Sequence, residues 1–243
     1  MHRFFVGYSL ADAKEVVIEG DDAVHISRVL RLSKGEKIEV CDISGLISLC
    51  SVDALSPSVV TASVLSQEKG KAESNVKVSI FQGVPKGDKL ETVVQKCTEL
   101  GAVKIVPFDA ERCVAKIKDA SKKRERMQRI AYEASKQSGR DIIPEVLEVV
   151  KFKDALDLAK DADLCIIAYE DEKKNSIKDV LKKNKDALSV SIFIGPEGGF
   201  TPEEIEYAVS NGFESVLMGP RILRTETAPL AALSAVMYEL GDW

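Results

Sequence analysis

The stretch "SVSIFIGPEGGFTPEEI", Ser189 to Ile205, decides the reading of the fold. Its first half is an apolar run of the kind found in strands buried on both faces. Its second half opens a helix: Thr201 suits the N-cap, Pro202 the first helical position and Glu204 the reciprocal capping position. Between them lies Gly195-Pro196-Glu197-Gly198-Gly199, whose glycines reach backbone angles closed to other residues and let a ligand approach the main chain. Strand, glycine turn and helix in succession are the building unit of an open α/β sheet. Such sheets bind ligands beyond the carboxyl ends of their strands.

The same texture extends in both directions. Upstream come a strand in "VKVSIFQGV" and a helix in "KGDKLETVVQKCTELGA", where Leu90, Val93, Val94, Cys97 and Leu100 follow helical spacing and Gly101 ends the run. A strand in "VKIVPFD" follows, then a long helix in "SKKRERMQRIAYEASKQSG" with Met127, Ile130, Ala131 and Ala134 inward. "ADLCIIAYE" reads as a strand and "NSIKDVLKKN" as a helix; after the opening stretch, "SVLMG" is a strand and "APLAALSAVMYELG" a helix. The alternation implies a mostly parallel sheet. The first seventy or so residues differ. "EKIEVCD", "LISLCSVDAL" and "SVVTASVLSQ" are strand-like. They are joined by one short helix in "DDAVHISRVLRLSKG", with Val24, Ile26, Val29 and Leu30 on one face and Gly35 as its stop. The result is a barrel-like β module. The polar segment Ser66–Asn75 sets a boundary, giving a β module over 1–70 and an α/β domain over 75–243.

With 243 residues, 45% of them hydrophobic and 30% charged, the chain can bury a core without disulfides. Five scattered cysteines read as reduced apolar residues, and two histidines are too few and too dispersed for a metal site. No apolar run approaches the roughly 20 residues that cross a bilayer, and the N-terminus lacks a signal-peptide run, so a cytoplasmic protein is expected. The net charge of −5 excludes indiscriminate binding to polyanions, so any nucleic-acid surface must be a local patch.

Three strand ends stand out: "IAYED" after Ile167, "IGPEGG" after Ile192 and "LMGPRILRTETAP" after Val216. Two of them carry Gly-Pro before a charged residue, as matched parts of one pocket would. A phosphate at the first turn would meet Glu197, Glu203 and Glu204, and neither the P-loop nor the dinucleotide fingerprint is present. A neutral or cationic ligand suits it better, the alternative being a tight turn and cap without a ligand. The second loop packs Arg221, Arg224, Thr225, Glu226 and Thr227 into one short segment, which reads either as a site or as a well-capped terminal helix.

The pair "FIGPEGGFTPEEI" and "LMGPRILRTETAPLAAL" closely resembles the RsmE family of SPOUT methyltransferases, as do "KGDKLETVVQKCTELGAVKIVPFDAERC" and "AYEASKQSGRDIIPEV". "HRFFV" and "HISRVLRLSKGEKIEVCD" resemble that family's PUA-like N-terminal module. The resemblance implies methylation of uridine N3 in 16S ribosomal RNA, within the assembled small ribosomal subunit, with S-adenosylmethionine as cofactor. It also implies a deep trefoil knot over about 190–235 and a homodimer formed through it. By that match Ile194, Gly195, Pro196, Glu197 and Gly199 line one side of the cofactor pocket. Leu217, Gly219, Ile222, Leu223 and Thr227 line the other, and Ala168, Tyr169 and Glu170 complete it.

Transfer to N3 needs the imide proton to leave, through a base or a cation that stabilises the ionised imide. Arg224 and Arg221 are candidate stabilisers and Glu226 or Glu197 a candidate base; an Arg–Glu ion pair shaping the loop is the alternative. The run "KIKDASKKRERMQRIAYEASKQSGR" carries Lys122, Lys123, Arg126, Arg129, Lys136 and Arg140. Most such runs are solvated helix faces, but the family resemblance places Arg140 near the target nucleotide. In the β module Arg3, His25, Arg28, Arg31 and Lys34 are candidates for RNA contact, and Lys86 and Arg112 complete that set. The rival readings are a nucleotide-dependent oxidoreductase or phosphotransferase, and a non-catalytic RNA-binding protein.

Overall fold

A computed structural model describes every residue of the chain except Lys116 and Lys118, so the start of the basic run lies partly outside the described residues. The described chain divides into two units, one of Met1–Glu73 with Lys136–Ile142, the other of Ser74–Ser135 with Ile143–Trp243.

In the first unit β1 (His2–Phe5), β2 (Glu15–Glu19), β3 (Lys37–Cys41), β4 (Leu46–Leu55) and β5 (Val59–Lys69) form one sheet in the order β1-β3-β4-β5-β2. Only β1 and β3 pair in parallel. Alternate residues Val16, Ile18, Ile38, Val40, Cys50, Val52, Val60 and Ala62 fill its core together with Phe4 and Leu10. The short helix α1 (Gly20–Val24) passes directly into a π-helical turn, His25–Val29, closed by Leu30 N–H donating to the His25 carbonyl. The wider turn changes which side chains face inward. Ala23 and Ile26 are buried, whereas Val24 is exposed and Val29 is 66% exposed, so the expected four-residue apolar face is corrected to a narrower one. The run ends at Arg31, which sits at φ +53, earlier than the expected stop at Gly35.

Within this unit Arg140 and Arg3 are turned inward. Arg140 is 4% exposed at its side chain and paired with Glu73. Arg3 bonds Glu39, Asp141 and the carbonyls of Gly139 and Arg140. A buried cation must be paired and hydrogen-bonded. Both guanidinium groups, expected from sequence to face RNA, bond inside the unit in this structure.

The second unit contains β6 (Lys77–Gly83), α2 (Lys89–Glu99), β7 (Lys104–Asp109), most of α3 (Ala120–Ser138), β8 (Glu145–Val146), β9 (Val150–Lys151), α4 (Phe152–Ala159), β10 (Leu164–Ala168), α5 (Ile177–Lys183), β11 (Ser189–Ile194), α6 (Pro202–Ser210), β12 (Glu214–Val216) and α7 (Ala228–Glu239). Its seven strands are all parallel, in the order β12-β10-β11-β6-β7-β8, with β9 also on β7. Strand residues alternate between two cores. Ile80, Ile105, Ile166 and Ile192 face α2, α5 and α7; Phe81, Phe108, Ile167 and Phe193 face α4 and α6. On the second face Phe81 and Phe193 stack at 4.3 Å, and Phe200 joins Phe108 and Phe152. All five cysteines are free, four of them buried and Cys113 partly so; burial pushes the Cys41 thiol up to about 12. No described helix is long and apolar enough to cross a membrane.

Candidate functional site

The neighbours β12, β10 and β11 end side by side, and the segments leaving them enclose a cleft of about 570 Å³. Strand β11 delivers Ile194 into the turn Gly195–Gly199, where Gly199 N–H donates to the Pro196 carbonyl at 2.9 Å. Gly199 sits at φ +65, and a Cβ there would stand 2.7 Å from a Glu170 carboxylate oxygen. Below the turn Phe200 anchors in the phenylalanine cluster. Thr201 and Glu204 then form the expected capping box, each side chain accepting from the other's backbone N–H at 3.2 and 3.0 Å. Glu204 also accepts from Glu111 N–H, so its charge is spent on structure.

The second wall is the segment after β12. Leu217 N–H donates to the Asn175 carbonyl, and its own carbonyl accepts from Ile177 N–H, which ties this segment to the one after β10. Farther along, the Arg224 carbonyl accepts from Thr227 and Ala228 N–H and starts α7. The two Gly-Pro segments are pinned together by Gln82, fully buried at the end of β6. Its Nε2 donates to Thr225 Oγ1 at 2.9 Å, and Thr225 Oγ1 donates to the Gly195 carbonyl at 2.7 Å.

Of the residues singled out by sequence, Ala168, Tyr169, Glu170, Ile194, Gly195, Pro196, Glu197, Gly199, Leu217, Gly219, Ile222, Leu223, Arg221 and Arg224 all line this cleft. Thr227 does not; it is exposed at the N-cap of α7, where its side chain caps nothing. Glu226 stands behind the lining, 3.5 Å from Lys89 Nζ. Sequence reasoning passed over Lys89, Glu172, Phe200, Met218 and Ala228, all in the lining, and Gln82 beneath it, whereas Thr225, named in the second loop, does line it.

The charges are organised. Burial pushes the Glu197 pKa up, but hydrogen bonds from Lys89 Nζ and Lys86 N–H outweigh it and hold the carboxyl below the usual range. The Lys89 ammonium is held above its ordinary value by the Glu197 hydrogen bond first and by the nearby Glu226 charge. Glu172 is held low by backbone N–H groups of Lys174, Asn175 and Lys173 and serves its own turn. Arg221 and Arg224 are exposed, with no side-chain ion pair among the described residues. Glu226 pairs with Lys89, so the Arg–Glu pair weighed from sequence is not what shapes the loop.

Residues 72–237 match the RNA methyltransferase domain family. The chain is 39% identical to ribosomal RNA small subunit methyltransferase E of Bacillus subtilis, over 98% of this chain and 97% of that one. The chain belongs to the RsmE family. The RsmE crystal structure from Neisseria gonorrhoeae, bound to S-adenosylmethionine, superposes with a TM-score of 0.90 at 32% identity, covering 100% of this chain and 99% of that one. A Legionella pneumophila methyltransferase with the same cofactor bound gives 0.88 at 30% identity, covering 99% and 98%. These likenesses make the fold a mixed α/β fold with a parallel sheet, similar to SPOUT methyltransferases. They also extend over both units of this RsmE-family chain.

The remaining basic candidates divide by environment. Arg28, Arg31, Lys34, Lys86, Arg112 and Arg126 are exposed, and His25 is partly buried against Phe4. Arg112 donates to the Gly198 carbonyl on the glycine turn, and Arg126 pairs with Glu91.

Proposed function

We propose that this chain transfers a methyl group from S-adenosylmethionine to N3 of a specific uridine in 16S ribosomal RNA, within the assembled small ribosomal subunit. The observation that carries the reading is the cleft between the two Gly-Pro segments, in a chain whose RsmE relatives are crystallised with that cofactor. The residues fit it. Glu170 and Glu197 give the cleft a negative wall for a sulfonium. Ile194, Leu217 and Leu223 offer apolar surface for an adenine, and Gly195 and Gly199 open the main chain to a ribose. Main-chain groups near Leu217 and Leu223 read the base, and Gly219 and Ile222 cover it.

The cofactor supplies a methyl carbon whose bond to sulfur breaks, the pair staying on sulfur, as the bond to nitrogen forms. The protein orients the uracil and stabilises the imide as its proton leaves. Arg224 and Arg221, exposed on the cleft and unpaired, are suited to the developing charge on an imide oxygen. Glu197 is already committed to Lys89, which argues against it as the base.

In the same reading, residues 1–70 form a PUA-like RNA-binding barrel, 75–243 the methyltransferase domain, and about 190–235 a trefoil knot through which two copies pair, in the cytoplasm. Arg28, Arg31, Lys34, Lys86, Arg112 and Arg126 supply phosphate contacts. Support comes from the resemblance over the whole chain and from the exposure of these side chains.

Primer extension on ribosomal RNA from wild-type and deletion cells tests the function. Arrest at one small-subunit uridine in the wild type only is expected; identical traces overturn the proposal. Calorimetry with S-adenosylmethionine, NAD and ATP separates it from the nucleotide-dependent rival.

A further inference from the structure

Lys89 begins α2, and its side chain reaches the wall of the cleft while remaining 35% exposed. Its ammonium lies 2.8 Å from Glu197 Oε1 and 3.5 Å from Glu226 Oε2. The carboxylates come from different segments, one from the turn after β11 and one from the loop before α7. Glu197 is fixed from behind, since both of its oxygens also accept from Lys86 N–H, at 3.1 and 3.3 Å. Glu226 Oε2 is buried and accepts no hydrogen bond. Glu226 turns that oxygen toward Lys89 and away from solvent, and a carboxylate tied to both an ammonium and the main chain, as Glu197 is, is a poor proton acceptor. What the pair presents to the cleft is Lys89. Of its three N–H donors, one bonds Glu197 and a second faces Glu226 at 3.5 Å, which leaves one for the cleft.

We infer that Lys89 is a catalytic residue of this site, a clamped ammonium that donates a hydrogen bond to the uracil oxygen where negative charge collects as N3 loses its proton. The inference rests on the methyl-transfer reading above. In the step, the N3–H bond breaks, the proton passes to solvent water, and the electron pair remains on the imide, shared by N3 and the two carbonyl oxygens. Lys89 keeps its own proton. A hydrogen bond from the nearby ammonium to a neutral uracil carbonyl strengthens as charge grows on that oxygen during reaction, which is the condition for raising the rate rather than the ground-state affinity.

The test uses the full chain and assembled small ribosomal subunits whose RNA carries 5-fluorouridine at the target position, whose imide ionisation is read by fluorine NMR. Besides Lys89, the charged and titratable groups on the cleft are Glu170, Glu172, Glu197, Arg221, Arg224 and the Tyr169 phenol, with Glu226 behind. The comparison is therefore between variants that leave all of these in place. In the wild-type complex the imide is expected to ionise about one pH unit or more below its value in free RNA. Lys89→Met is expected to abolish that shift and to lower kcat about 100-fold, as for loss of one oxyanion donor. Its affinity for S-adenosylmethionine, by calorimetry, stays near wild type, and Lys89→Arg recovers most of the rate.

An imide titration identical in wild type and Lys89→Met overturns the inference. So does a rate loss matched by an equal loss of cofactor affinity, which would make Lys89 a cofactor contact. If Lys89→Met fails to fold, Lys89→Gln, which keeps a polar side chain without charge, carries the same comparison. A wild-type protein that neither binds S-adenosylmethionine nor methylates RNA brings down the methyl-transfer reading itself. A wild type that does both, with Lys89 variants indistinguishable from it, brings down this inference alone.

Discussion

Gln82 Nε2 lies 2.9 Å from Thr225 Oγ1, a hydrogen bond between residues 143 positions apart that locks the end of strand β6 to the loop before α7. Thr225→Val removes the hydroxyl and with it one hydrogen bond each of Gln82 Nε2 and the Gly195 carbonyl, leaving the Gly83 carbonyl and a long 3.4 Å contact between the two in a buried place. The cost is about 1–3 kcal/mol. Thermal unfolding is expected at lower temperature, and S-adenosylmethionine is expected to bind more weakly by calorimetry. Unchanged values for both would mean that this bond does not hold the cleft.

Gly83 follows Gln82, and its Cα faces the Gly-Pro turn. A Cβ there would stand 2.7 Å from Pro196 N and 3.0 Å from the Gly195 carbonyl carbon, both main-chain atoms. Gly83→Ala must push the turn away from β6, at a cost of about 1–3 kcal/mol for overpacking. Weaker cofactor binding with an otherwise native circular dichroism spectrum is the expected outcome. Gly87→Ala is a useful contrast: its φ of +65 makes it strained, but nothing lies within 4 Å of its Cβ, so its effect should fall on stability rather than on the turn.

The Glu73–Arg140 pair makes a pH prediction for the first unit. Burial raises the Glu73 pKa, but hydrogen bonds from Arg140 and from Asp141 and Ile142 N–H lower it further, to a net value below the ordinary glutamate range. The folded value is thus depressed. Its stabilisation is fully present above the unfolded-state pKa of about 4.3 and is lost as pH falls through the folded one. The melting temperature should drop below about pH 4, and less steeply in Glu73→Gln. Arg140→Ala, which strands the buried carboxylate, is expected to cost about 3–5 kcal/mol at neutral pH. If Arg140→Ala left stability intact and weakened only RNA binding, the inward assignment of this arginine would be wrong.

Arg224 has no such structural partner. Arg224→Ala is expected to lower turnover about tenfold or more, with stability and cofactor affinity near wild type. Wild-type turnover with intact cofactor binding would remove Arg224 from the mechanism. For the exposed cations, Arg28→Ala and Lys34→Ala should each weaken RNA binding and reduce the slope of log affinity against log salt by about one. A slope that does not change in either variant would exclude them as phosphate contacts.

Most of the parallel sheet can be read from local pattern, because buried strands and their helices announce themselves within a few residues. The capping box at Thr201 and Glu204 is such a case. Helix α4 was overlooked although Phe152, Ala155, Leu156 and Ala159 keep helical spacing. Strands β8 and β9, two residues each, are too short to show any period. The π-turn at His25–Val29 defeated a reading based on α-helical spacing. At the cleft, the turn residues carry local signatures, whereas Gln82 and Lys89 matter through partners more than a hundred residues away and carry none. The burial of Arg140 is illegible for another reason: a basic run looks the same in sequence whether its last guanidinium meets water or a buried glutamate.

The first unit is assembled from two separated stretches of chain, and this limits how the protein can be dissected. A fragment ending at Glu73 would present Arg3 and Glu73 without the Asp141 and Arg140 that neutralise them, and would bare the backbone carbonyls' guanidinium guest to solvent. Such a piece should behave as a loose, acid- and salt-sensitive ensemble rather than an autonomous domain. On the ribosome the first unit is therefore expected to complete its fold only once residues up to Ile142 have emerged, which ties its maturation to the translation of its neighbour.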